Sequence, residues 1–429
     1  MRITQLLRRT FGSLSVRNYR LYFLGQIVSI NGTWMQTTAQ AWLVLHLTHS
    51  GVALGITAAL RFLPMLLLGA WGGVIADRFD RRRMLVLTQV GSGLLSGGMG
   101  AITLSGHATT WLVYAFAMAL GFVQVIDTPA RQAFASELVG QHLVANAVSL
   151  NAAVFTSARV IGPGVAGFLI ALLGTGWCFV ADAASYLGAI GALLLMRPDA
   201  LFRQVFRARA SGAAQLVEGL RYAWATPALR LPLLMMAVIG MLAFNFNVLL
   251  PLVATDVFHG SAETYGLLGT LLGVGAFAGA LLAATRSRPT LRVLIAASLA
   301  FGATLLLAAG MPLLALEMVA LVPLGAAMTV FQATTNSLLQ LASRPELRGR
   351  VMALYVVMFM GTTPIGGPII GWVAQTLGAR AGLAIGGLSA IVTALAVLAW
   401  LRRRQAAVPV PIEEPAGTAE EQEELRSAG

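Results

Sequence analysis

Twelve apolar stretches recur along this chain, each long enough to cross a hydrocarbon layer of ~30 Å as a helix, which takes about 20 residues. They cover residues 21–45, 51–75, 84–104, 110–130, 145–171, 176–196, 230–254, 263–284, 291–309, 312–336, 352–375 and 381–401. The pattern predicts helices, because unpaired backbone groups in lipid each cost several kcal/mol and the alternating period of a barrel strand is missing. Composition points the same way: 57% of residues are hydrophobic and 11% charged, where a soluble domain carries about 25% charged residues. Such a chain cannot cover its own surface with polar groups, so an all-α integral membrane protein is expected.

The net charge of +12 would suit a nucleic-acid partner, yet the basic residues are spread between apolar stretches instead of forming one patch. No nucleic-acid partner is expected. All 29 basic residues are arginine, which excludes a Walker-type phosphate loop and a Schiff-base lysine. The single cysteine, Cys178, lies inside an apolar stretch, and His46, His49, His107, His142 and His259 have no metal-ligand spacing. No nucleophile elbow occurs. The expectation is a protein that is not an enzyme and holds no cofactor or metal.

Arginine placement predicts orientation. Connections after the second, fourth, sixth, eighth and tenth stretches carry Arg78, Arg81, Arg82, Arg83, Arg131, Arg197, Arg203, Arg207, Arg209, Arg221, Arg286, Arg288, Arg344 and Arg348. The opposite connections hold only Arg380. By the positive-inside rule both termini are cytoplasmic. The N-terminal "MRITQLLRRT" lacks an uninterrupted apolar region and a small-residue cleavage site, so it reads as a cytoplasmic lead-in and not as a signal peptide.

The longest connection separates six stretches from six. The predicted organisation is an N-terminal six-helix bundle over 1–196, a cytoplasmic linker over 197–229, a C-terminal six-helix bundle over 230–404, and a disordered tail over 405–429. The linker contains "LVEGLRYAW", which fits a short amphipathic helix on the membrane surface, and the Pro-rich, then acidic tail has little to bury. Residues 143–174 also align without a gap on 347–378. Leu143, Leu150, Phe155, Ile161, Gly162, Gly167, Leu173 and Gly174 match Leu347, Leu354, Phe359, Ile365, Gly366, Gly371, Leu377 and Gly378. The alignment pairs the fifth stretch with the eleventh, as a duplicated six-helix unit requires, and internal repeats around a central site are a recurring plan for secondary transporters.

The second stretch ends in "GGVIADRFDRRR" (72–83), and Gly73, Asp77, Arg78, Arg81 and Arg82 within it resemble the cytoplasmic signature of the major facilitator superfamily. Asp80 stands where the family often has glycine. The resemblance continues in "NGTWMQTTAQAWLVLHLT" (31–48), "DTPARQAFASELV" (127–139), "NAVSLNAAVFTSARVIGPGVAG" (146–167), "EGLRYAW" (218–224) and "RGRVMALY" (348–355). Over roughly 15–400 the chain is similar to the enterobactin-exporter-like subgroup of bacterial exporters. The resemblance implies twelve transmembrane helices in two pseudo-symmetric six-helix bundles, in the inner membrane of a bacterium, working by alternating access. It further implies a conformational gate of Gly73, Asp77, Arg78, Arg81 and Asp127. In the outward-open state Asp77 would dock at the start of the eleventh helix and Arg81 would reach Asp127 at the cytoplasmic end of the fourth, a latch between the halves that breaks when the protein opens inward. A carboxylate at a helix N-terminus is worth about 0.3–1 kcal/mol when exposed and up to ~2 when partly buried. Alternatively the cluster only sets topology.

Charges at membrane depth cost at least ~2.5–3.5 kcal/mol, so each is a site hypothesis. Arg61 and Arg159 lie at comparable depth on the second and fifth stretches, which line the interface between halves in this fold. Together they would hold an anionic or catecholate-like substrate; alternatively an arginine here caps backbone carbonyls or pairs with Asp182 to brace the N-terminal half. Glu317 and Asp182 are the proton-coupling candidates, with snorkelling to the outer surface as the rival reading of Glu317. In the first stretch Gln26, Ser29, Thr33, Gln36, Thr37 and Gln40 share one helical face, which meets a cavity or a neighbouring helix. Proton-coupled relatives often carry an acid in this helix, where this chain has Asn31 and Thr33. Asn245 and Asn247 are the counterpart in the seventh stretch. The substrate-binding set expected is Gln36, Gln40, Trp34, Arg61, Arg159, Asn245 and Asn247. Gly269, Gly273, Gly275 and Gly279 read as close helix packing and not as a dinucleotide loop.

The absence of a nucleotide motif makes an ion gradient the energy source. The reading is a monomeric secondary active transporter whose partners are a small-molecule substrate, the proton gradient and the lipid bilayer. It would export a siderophore, drug or metabolite. Uptake by the same fold, lipid flipping, and a non-transporting scaffold are the alternatives.

Overall fold

The computed structural model describes residues 11–202, 212–285 and 289–406, and no strand occurs among them. The first six segments are the helices Arg17–Thr48, Gly51–Arg78, Arg81–Leu104, Thr110–Leu138, Val144–Leu173 and Thr175–Leu194. A short linker helix, Gly212–Ala225, follows. Segment seven is broken into Pro227–Ala243 and Phe246–Leu252; segments eight to ten are Ala262–Ala284, Leu291–Ala309 and Leu314–Ala342. Segment eleven is broken into Arg348–Met360 and Thr363–Leu377, and segment twelve is Ala379–Ala406.

Eleven of these stretches are long and apolar enough to cross a membrane. Segment one is long enough at 32 residues, but its polar stripe keeps it below the hydropathy of the others. Segments four and ten run well past the ends expected from hydropathy, to Leu138 and Ala342, because polar residues continue the helix there. Arg131 therefore sits inside segment four and not in a connection, held by Asp127 one turn earlier at 2.8 Å. The helix starts are written in the sequence: Ser50 Oγ accepts from Ala53 N at 3.2 Å, and Asp80 Oδ1 accepts from Arg83 N at 2.9 Å. Asp80, the departure from the family signature, thus caps segment three.

Helix contacts fall into two equivalent sets. Segment one packs on five and six, two on four, and three on four and six; segment seven packs on eleven and twelve, eight on ten, and nine on ten and twelve. Between the sets, two meets eleven and five meets eight. The internal repeat is visible in backbone detail. Leu143 and Leu347, which cap segments five and eleven, have φ/ψ of −106°/−4° and −106°/−5°. Gly174 and Gly378, which end them, have φ of +90° and +91°, a region that glycine enters without the Cβ penalty. Gly167 lies against Gly266 of segment eight, and Gly371 lies against Gly51 of segment two. In lipid, where apolar burial gives no preference for one helix partner over another, such small-residue seams are what let backbones close.

The seam is closed on the side away from the arginines. There Ser50 Oγ donates to Gln375 Oε1 at 2.7 Å, Val52 N donates to the same oxygen at 3.2 Å, and Thr270 Oγ1 donates to Val160 O at 3.0 Å. Trp42 stacks on Tyr265 on the same side, with centroids 6.2 Å apart. The linker helix is tied to the second set, through Glu218 to Arg350 and through Tyr222 Oη, which accepts from Arg344 N at 3.2 Å.

Candidate functional site: a cavity between the two helix sets

A cavity of about 320 Å³ lies between the sets, within the range of small-molecule sites. Segments one, two and five contribute Trp34, Thr38, Ala58, Phe62, Phe155, Arg159 and Pro163. Segments seven, eight, ten and eleven contribute Phe244, Asn245, Phe246, Asn247, Tyr265, Gln332, Phe359 and Thr363 among others. Seven aromatic rings line it, and none of its lining residues is acidic. Its one charged residue is Arg159, whose guanidinium lies 5.4 Å from the centroid of the Trp34 ring. Among the described residues no hydrogen bond or ion pair joins Arg159, so its donors are available to a ligand.

Both helix breaks open onto this cavity. Segment seven is interrupted at Phe244 and Asn245, where the Asn245 amide donates back to Met241 O at 2.7 Å. Segment eleven is interrupted at Gly361 and Thr362, and Pro364 follows in the first turn of the next helix, where a missing N–H costs nothing. Irregular backbone at membrane depth is tolerated where it lines a cavity. The repeat reaches the site as well: Phe155 and Phe359 are equivalent and both line it, and Arg159 is the equivalent of Thr363 across it.

Trp34, Arg159, Asn245 and Asn247 are brought together as the sequence suggested. Arg61, Gln36 and Gln40 are not in this cavity. Arg61 Nη1 donates to both glutamines at 3.2 Å, and Gln36 donates to Gln40 at 2.9 Å. Arg61 and Gln40 border a separate void of about 30 Å³ that Asn247 shares. The stripe on segment one therefore faces neighbouring helices, which satisfy it: Ser29 donates to Gln89, Thr33 meets Tyr186, and Gln26 accepts from Arg131. The two arginines do not act as a pair, because helical rotation turns Arg61 into the first helix set and Arg159 out of it. Arg159 does not brace Asp182 either, which is fully buried and accepts from Ser96 at 2.5 Å. Glu317 does not snorkel; it is 1% exposed, close enough to Arg380 to interact electrostatically. Hydropathy reading missed Gln332, Thr363 and most of the aromatic wall, since a phenylalanine facing a cavity looks in sequence like one facing lipid.

At the arginine-rich face, the side chains of the gate residues Gly73 and Asp77, and with them the Asp77 latch, lie outside the described residues. Arg78 is exposed. Arg81 pairs with Glu137 at 2.5 Å, and not with Asp127. Asp127 instead accepts from Arg131 at 2.9 Å, Thr88 at 2.7 Å and Gln89 at 3.0 Å. The reason is the added length of segment four: Glu137, and not Asp127, stands at its end. Arg82 caps segment six by donating to Leu193 O and Leu194 O at 2.7 and 3.0 Å. Removing one partner of a buried ion pair costs about 3–5 kcal/mol. Arg81→Ala should therefore lower the apparent unfolding temperature in detergent well below that of Arg83→Ala, whose side chain is exposed; equal values would show that the pair contributes nothing.

Two pseudo-symmetric sets of helices around a central cavity define a transporter of the major facilitator type. The family model described as "Transmembrane secretion effector" matches residues 8–417, and the chain belongs to that family. The multidrug efflux pump Tap of Mycolicibacterium fortuitum is 28% identical over 82% of this chain and 87% of its own length. The enterobactin exporter EntS of Citrobacter koseri is 25% identical over 92% and 94%. The staphyloferrin A transporter of Staphylococcus aureus is 26% identical over 60% of this chain, and only 64% of that protein is spanned. Among solved structures, the nucleoside transporter NupG superposes with a TM-score of 0.68 at 14% identity, covering 91% of this chain and 99% of NupG. The D-xylose–proton symporter superposes with a TM-score of 0.65 at 16% identity, covering 89% and 95%. These two likenesses concern the fold alone.

Proposed function

We propose that this chain exports a small aromatic anion across the bacterial inner membrane, driven by the proton gradient. The observation that carries the reading is the cavity: aromatic walls, no acid among the lining residues, and one arginine spread over Trp34 with its donors unoccupied. A guanidinium in that position suits a carboxylate, sulfonate or catecholate on a planar apolar body. Kinship with Tap and EntS supports export. In this reading segment one is the twelfth span, its polar face shielded by the other helices. The arginine-rich face is cytoplasmic, as the positive-inside rule implies, and closure on the opposite side makes this the inward-facing state. The bundles 1–196 and 230–404 rock about the cavity, with the 197–229 linker between them, and the monomer is the working unit.

Proteoliposomes test this with naphthalenesulfonate, a permanently ionised aromatic anion, and naphthalenesulfonamide, its neutral relative. With the cytoplasmic face outward and the lumen acidified, the anion should accumulate and a protonophore should release it. Accumulation unchanged by the protonophore would remove proton coupling; net movement in the other direction would make the protein an uptake symporter.

In this reading Asp77 is a latch of the outward-facing state, with Arg81 held by Glu137. A cysteine pair joining the connection between segments two and three to the start of segment eleven should cross-link better in the outward-facing state. Equal yield with and without substrate or proton gradient would remove the latch.

A further inference from the structure

Asp182 is fully buried among helices of the first set, and its Oδ1 has no hydrogen-bond partner. It lies against Gly32 of segment one, where a Cβ would come within 2.7 Å of Oδ1. Segment three offers only the Ser96 hydroxyl, on the other carboxylate oxygen. The titratable groups that reach Asp182 are Arg61 from segment two and Tyr186 from its own helix. A lone buried carboxylate with one hydrogen bond is costly while ionised, and a fixed arginine nearby lowers that cost without abolishing it.

Polar groups lead away from Asp182 in two directions. Towards the arginine-rich face, Tyr186 Oη lies 3.3 Å from Thr33 Oγ1, Ser29 lies one turn beyond and donates to Gln89 at 3.3 Å, and Gln89 donates to Asp127 at 3.0 Å. Towards the seam between the helix sets, Arg61 holds Gln40 beside the void of about 30 Å³, large enough for a water, which Asn247 shares with the substrate cavity.

We propose that Asp182 carries the coupled proton, in a polar core of the first helix set that is spatially separate from the substrate cavity. The proton binds Oδ1 in one conformation and leaves towards Asp127 in the other. Arg61 reports the charge state of Asp182 to the wall of the substrate site through Asn247. Substrate and proton then act on opposite sides of one helix layer and do not compete for one group. Glu317 is also buried without a hydrogen-bond partner, but it sits in the first turn of segment ten, outside the cavity lining. It takes no part.

This inference rests on proton-driven export. In proteoliposomes loaded with naphthalenesulfonate, Asp182→Asn should lose transport driven by the pH gradient and keep gradient-free exchange of labelled for unlabelled anion, which needs no net proton movement. Tyr186→Phe should keep exchange and slow gradient-driven transport several-fold, and Glu317→Gln should keep both. Gradient-driven transport retained in Asp182→Asn, loss of exchange together with transport in that variant, a neutral Tyr186→Phe, or loss of coupling in Glu317→Gln would each overturn the assignment. A wild-type protein that moves no anion under the gradient would instead overturn the export reading, and this assignment would fall with it.

Discussion

Replacing Arg159 with glutamine should weaken binding of an aromatic anion about 10- to 100-fold, since hydrogen bonds to a charged group are worth about 1.5–3 kcal/mol. The neutral sulfonamide should bind as it does to the wild type. The protein should still fold, because removing a charge with no ion-pair partner relieves desolvation and gives up only the contact with the Trp34 ring. Arg159→Lys should fall between the two. Lysine keeps the charge but not the planar group that lies over Trp34 at 5.4 Å. Quenching of tryptophan fluorescence on titration reads this directly, and Trp34→Phe identifies the responding ring. If glutamine weakens anion and neutral compound equally, Arg159 shapes the cavity and does not recognise charge.

The second large effect concerns the seam. A Cβ on Gly167 would lie 2.7 Å from Ala262 O and 3.0 Å from Gly266 Cα, both backbone atoms that cannot step aside. Gly167→Leu should therefore prevent closure on the face away from the arginines and abolish transport, since alternating access needs that face to close. Ser50 and Gln375, 2.7 Å apart across the other half of the seam, provide the readout. With Cys178 replaced, a Ser50→Cys, Gln375→Cys pair should cross-link readily in the parent and poorly in Gly167→Leu. Unchanged cross-linking with intact transport would mean that the seam yields to a larger side chain.

Several features are legible in the sequence alone. Hydropathy located the segments to within a few residues where their ends are apolar. It failed at Leu138 and Ala342 because helix continues after hydrophobicity stops. The misassignment of the acid that meets Arg81 follows directly: a short reading of segment four leaves Asp127 at its end, and the full helix puts Glu137 there. The repeat, read from eight matches, reappears as equivalent caps, equivalent left-handed glycines and equivalent cavity phenylalanines.

By itself the sequence determined that the chain is helical and lipid-embedded, that its halves are related, and that the family is the major facilitator one. The first depends on local composition and spacing along the chain; the other two rest on matched stretches, 143–174 on 347–378 and the family motif at 72–83. Only the tertiary structure decided which polar face meets what. Helical periodicity puts Gln26, Ser29, Thr33, Gln36 and Gln40 on one stripe, but cannot say whether that stripe meets a cavity or Gln89, Tyr186 and Arg61. Those partners come from segments two, three and six, up to 153 positions away along the chain. The same holds for the two arginines at one depth. Arg61 is spent inside the first helix set and Arg159 is free for a ligand because rotation about each helix axis is set by packing against its neighbours, and hydropathy carries no record of it.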